Sequence, residues 1–127
     1  MYKSPLQAYQ TIDNSTMSGR DIEARVLTDA ALKMRHCQQN WDAEGRQADL
    51  DTALRYNQKV WSVLQVELER DDNPLPLTVR QNLLRLIAFV DKRIFDTMAF
   101  PEREKLTMMI QINENIAAGL RAQPSVA

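Results

Sequence analysis

The chain offers few residues that could do covalent or metal chemistry. Its one histidine and one cysteine are neighbours, His36 and Cys37. On a helix, adjacent side chains point about 100° apart, so the two are badly placed to act together. Cys37 falls on an apolar stripe and reads as a core thiol, which leaves His36 toward solvent or a rim. A metal site needs three or four ligands, and no His, Cys, Asp or Glu cluster at ligand spacing occurs. Asp71 and Asp72 are adjacent carboxylates, but they stand in the turn Asp71-Asp72-Asn73-Pro74-Leu75-Pro76 and read as solvated turn residues, not an acid/base pair. Phosphate-binding glycine loops, nucleophile elbows and zinc-binding helix motifs are absent. The expectation is a protein that binds, with no enzyme activity, no cofactor and no metal.

Binding chemistry has more candidates. Asn57 and Asn113 interrupt otherwise apolar helical seams. They either set helix register or contact a ligand, and if they face each other they can satisfy one another's amides. A second group is Leu77, Leu84, Ala88 and Phe95, an extra apolar stripe that either packs between two helices or meets a partner. A third is Met108 and Ile112, one turn apart and off the main apolar face of their helix, which flanking helices bury or a partner covers. These six apolar residues are the candidate partner-binding set. A weak basic bias runs through Arg80, Arg85, Lys92, Arg93, Arg103 and Lys105, set against Asp91, Asp96, Glu102 and Glu104. It reads as a solvated helix surface, with RNA contact the poorer alternative.

The elements that must carry these residues follow from periodicity. Steps of three and four through Ile22, Val26, Leu27, Ala30, Met34, Cys37 and Trp41 predict an amphipathic helix over 19–40, with Ser18 as its cap. Leu50, Leu54, Asn57, Trp61, Leu64 and Leu68 form a heptad-like seam over 47–70. Pro74 and Pro76 then stop that helix. Over 77–99, Val79, Leu83, Leu86, Ile87, Val90, Ile94 and Met98 share one face. The Leu77/Leu84/Ala88/Phe95 stripe lies roughly 130° away from it. A last helix over 102–120 carries Leu106, Met109, Ile110, Asn113, Ile116, Ala117 and Leu120. Residues 4–14 suit a short N-terminal helix, with Ser4 as cap and Pro5 at its first position, and 122–127 should fray. The fold class is therefore all-α: one domain over 1–127, a bundle of four long helices (19–121) plus the short N-terminal one.

Composition agrees. The chain has 127 residues, a formal net charge of -1, 3 Gly and 5 Pro, with the helix breakers at the expected helix ends. This charge argues against a general nucleic-acid binder. A single cysteine suits a reducing compartment. No apolar run approaches the roughly 18 residues of a membrane span, and Met1 to Pro5 lacks the apolar stretch of a secretion signal. The expected location is cytoplasmic, without membrane insertion.

Four segments in order, Ala53–Trp61 (ALRYNQKVW), Asp72–Pro76 (DNPLP), Asn82–Arg93 (NLLRLIAFVDKR) and Ile112–Arg121 (INENIAAGLR), together resemble the FlaF family of flagellar biosynthesis regulators. The likeness spans the chain from the Tyr9 region to Arg121 and is densest after Ala53. It implies a role in flagellin production and flagellum assembly, alongside a second regulator, FlbT, that acts on flagellin messenger RNA. It implies neither enzyme activity nor cofactor, and it carries over no site residues. Two functions from different classes fit: a flagellin-binding chaperone or export factor, and a post-transcriptional regulator acting on flagellin mRNA directly or through FlbT. A structural adaptor between regulators is a third. The charge balance favours protein over RNA, and a spare apolar stripe also suits self-association.

Overall fold

The computed structural model describes residues 19–122. Four helices fill almost all of it: α1 (Gly19–Gln39), α2 (Arg46–Glu69), α3 (Leu77–Ala99) and α4 (Lys105–Ala122). The described residues contain no strand. The short helix expected over 4–14, the Ser18 cap and the tail from 123 on lie outside the described residues.

Breaker chemistry sets the connections. Gly45 precedes α2 with φ +84°, a left-handed conformation that glycine adopts without a Cβ penalty. Between α2 and α3, Asn73 does two jobs. Its Nδ2 donates to the Glu67 carbonyl (2.9 Å) and its Oδ1 accepts from Leu75 N–H (3.0 Å). Arg80 reaches back from α3 to donate to the carbonyls of Leu68 and Arg70, both at 3.1 Å, and so satisfies the last turn of α2. The expected start of the last helix at 102 is corrected to 105. Residues 102–104 instead make tight turns, with Lys105 N–H donating to the Glu102 carbonyl and Leu106 N–H to that of Arg103. The Lys105 amine donates to the Phe100 carbonyl at the end of α3 (2.7 Å). Ala122, expected in the frayed tail, is still helical.

Short turns make chain neighbours antiparallel, and side-chain pairs confirm it. Lys33 lies over the Tyr56 ring at 5.0 Å between α1 and α2. Arg121 bonds Thr28, Arg35 pairs with Glu114, and Gln38 bonds Thr107 between α4 and α1. Helices pack around a ring, α1 on α2, α2 on α3, α3 on α4 and α4 back on α1. The α1–α4 seam is the most extensive and the α3–α4 seam the least. This is the four-helix bundle that the periodicity predicts.

The core is the set of predicted stripes. Leu27, Met34, Leu50, Leu54, Trp61, Ile87, Val90, Ile94, Leu106 and Met109 are buried. Two expectations for α3 change. Val79, placed on the core face, is 41 % exposed, because it sits in the first turn of α3 at the bundle's end. Thr97, passed over as polar, is fully buried. Its hydroxyl donates to the Arg93 carbonyl at 2.6 Å, so burial leaves no orphan polar atom there. No helix among the described residues is long and apolar enough to cross a membrane.

Candidate functional site

Seam asparagines come first, because their types promised either register or ligand contact. Asn57 on α2 and Asn113 on α4 are both fully buried. They meet across the diagonal of the bundle. Asn113 Nδ2 donates to Asn57 Oδ1 (2.7 Å) and to the Leu27 carbonyl of α1 (3.2 Å), while its Oδ1 accepts from Trp61 Nε1–H (3.0 Å). Asn113 thus ties three helices at one level. Its bonds go to the protein itself, the arrangement that the register reading requires. Asn57 Nδ2 is buried and has no hydrogen bond among the described residues.

The cysteine, histidine and aspartate readings resolve as simply. Cys37 is buried, and burial, with a smaller contribution from Asp49, pushes its thiol pKa up, away from the reactive thiolate. His36 is exposed, with Asn40 Nδ2 3.4 Å from its Nδ1. Asp72 is held by a two-point bond to Arg70 in the turn (2.9 and 3.0 Å). That bond lowers its pKa, and Asp71 beside it is exposed. Among the described residues no group of three or more His, Cys, Asp or Glu is placed to hold a metal ion.

Apolar surface remains. Leu77 is 64 % and Phe95 57 % exposed. Ala88 is exposed, and Leu84 is half-buried against the core. The stripe at spacings of seven, four and seven therefore runs along the outside of α3, with Leu84 turned partly toward the core, and among the described residues it is not sandwiched between helices. Met108 and Ile112 take a different position. Asp96 of α3 pairs with Lys105 of α4 at 3.1 Å, which marks the facing sides of the two helices. Met108 and Ile112 follow Lys105 at three and seven residues and share its side of α4. Met108 is 40 % exposed and Ile112 half-buried. The six predicted residues thus fall into two strips, one on the outer face of α3 and one along the α3–α4 seam.

Phe89 joins these strips, and the sequence reading missed it. It lies seven residues before Asp96, on the same side of α3, and is 43 % exposed. It belongs to neither predicted stripe. The available signal was its spacing of four from both Arg85 and Arg93. Between Phe89 and the Phe95 stripe, helical geometry places Arg85 and Lys92, both exposed. The basic bias of the sequence therefore divides. Arg80 and Lys105 are committed to internal carbonyls and, for Lys105, to Asp96. Arg85, Lys92 and Arg93 make no ion pair among the described residues. The surface is thus apolar with a short basic row.

The family model of flagellar protein FlaF matches residues 5–120, almost the whole chain. No curated protein and no solved structure is detectably similar. The match runs through every helix described above, and on it the chain belongs to the FlaF family of flagellar proteins.

Proposed function

We propose that this protein binds flagellin in the cytoplasm as a chaperone or export factor, and through that binding controls flagellin production and flagellum assembly. It is a binding protein and not an enzyme on this reading. Flagellin has long amphipathic terminal segments that must not associate before assembly. A partner that holds such a segment needs a stable apolar face of its own. The observation that carries the proposal is the stripe of Leu77, Leu84, Ala88 and Phe95, which lies outside the bundle in a member of a flagellar family. Large apolar side chains contiguous along one helix face mark interaction surfaces more often than scattered single ones do.

The test is direct binding of purified flagellin to the purified protein. Phe95→Asp should weaken that binding by about tenfold or more, the effect of losing a well-packed aromatic anchor. Its fold should be unchanged, since Phe95 is exposed. Undiminished binding by the folded variant would show that flagellin does not use this stripe.

A further inference from the structure

We infer that the docking face of α3 selects its partner by charge: Arg85, Lys92 and Arg93 receive the carboxylates of an acidic amphipathic helix whose apolar side lies on Phe89, Phe95 and Met108. This rests on the reading of the protein as a flagellin binder and adds the chemistry of the bound segment.

Three observations converge. First, the cations stand inside the apolar surface and not beyond it. Arg85, Lys92 and Arg93 lie four before, three after and four after Phe89, so a ring and three positive side chains share one patch. Second, these charges are unspent among the described residues. Asp96, on that side of α3, is taken by Lys105 at 3.1 Å. Arg85, Lys92 and Arg93 pair with no carboxylate among the described residues, and Arg93 Nε is buried without an acceptor. A carboxylate is the group that matches the fork of an exposed guanidinium such as that of Arg85. Third, the adjoining surface of α4 adds no positive charge. Met108, Gln111 and Asn115 are exposed and uncharged.

The pattern favours an amphipathic helix over RNA. Phe89 and Phe95 are rings on which bases would stack, but they stand among Leu77, Leu84, Ala88 and Ile112, aliphatic side chains that give bases neither stacking nor hydrogen bonds. A nucleic-acid face also needs more cations than this row supplies. A helix that is apolar on one side and acidic on its flank meets both parts of the face.

The experiment uses the full chain, purified flagellin as probe, and a zero-length carbodiimide, which joins an amine to a carboxylate only when they touch. The carbodiimide activates a flagellin carboxyl group. The Lys92 amine displaces the activating group as a urea, and one amide bond forms with net loss of water. The expected product links Lys92 to a flagellin Asp or Glu, and Lys92→Arg loses the link but keeps the affinity. The exposed double variant R85E/K92E should weaken flagellin binding by roughly tenfold at low salt and remove most of its salt dependence. Circular dichroism checks that it folds. Flagellin binding that is salt-insensitive and indifferent to R85E/K92E would overturn the charge selection and leave the proposed function standing. The absence of any flagellin binding by the unaltered protein would overturn both. Tight, salt-sensitive binding to the flagellin leader RNA that R85E/K92E abolishes, with flagellin binding untouched, would reassign the row to RNA.

Discussion

At the scale of residues, the informative side chain is Asn113. Its amide uses both donors and accepts one bond, all from fully or nearly fully buried partners. Removing it strands Trp61 Nε1–H and the Asn57 carboxamide in the core. Each such orphan costs about 1–3 kcal/mol. Asn113→Ala should therefore lose roughly 3 kcal/mol or more, a large part of the stability of a domain this size, read by urea unfolding. Asn57 is different. It contributes one accepted bond, and its Nδ2 already lacks an acceptor. Asn57→Leu deletes an unsatisfied donor but strands one Asn113 N–H, so it should cost about 1–2 kcal/mol, less than Asn113→Ala. Equal losses for the two variants would contradict the geometry. Both asparagines were visible in the sequence as polar breaks in apolar seams. Their hydrogen bonding was not, because Asn57 and Asn113 are 56 positions apart and nothing local fixes how α2 and α4 align.

At the scale of elements, helix positions were legible almost throughout, because apolar spacing and breakers act locally. The α3 boundaries at Leu77 and Ala99 match the expected ones. The start of α4 does not, since residues 102–104 make tight turns ahead of it and the Lys105 amine bonds the Phe100 carbonyl. Arg80 shows a similar limit. In the sequence it counted toward a basic surface. In the fold it closes the end of α2, where carbonyl groups carry the negative end of the helix dipole. Arg80→Ala should cost about 1–2 kcal/mol, seen as a lower melting temperature, while Arg85→Ala, with no such contacts, should leave it nearly unchanged. A drop of the same size for both would mean that Arg80 acts only as surface charge.

At the scale of the molecule, the α1–α2 seam carries a pH response. Burial raises the Glu23 pKa above the ordinary carboxylate value, Glu67 across the seam raises it further, and Arg20 opposes both. A carboxyl group whose folded pKa is raised stabilises the fold most when protonated, below its unfolded pKa. That contribution is lost as pH rises through the raised folded pKa. Glu23→Gln mimics the protonated form. It should be more stable than the parent at pH 7, and the gap should close as the pH falls below the ordinary carboxylate range. Thermal melts at pH 7 and at acid pH read this directly, and a gap that widens on acidification would reverse the assignment. Packing at the same scale divides the surface. Ring order around the bundle turns the core faces inward and leaves the Phe95 stripe outside, while Met108 and Ile112 line the seam with the least packing, between α3 and α4.

From the amino-acid order alone follow the all-helical class, the four long helices, their core faces and the family resemblance, because each depends on spacing along one helix or on breakers between two. Tertiary structure decided what the polar and spare apolar residues do. It joined Asn57 to Asn113, committed Arg80 and Lys105 to carbonyls, left Arg85, Lys92 and Arg93 without an ion pair among the described residues, and brought Phe89 into the surface that Leu77, Leu84, Ala88 and Phe95 had marked. Such outcomes depend on which helix stands beside which, and that is set by packing between residues far apart in the chain.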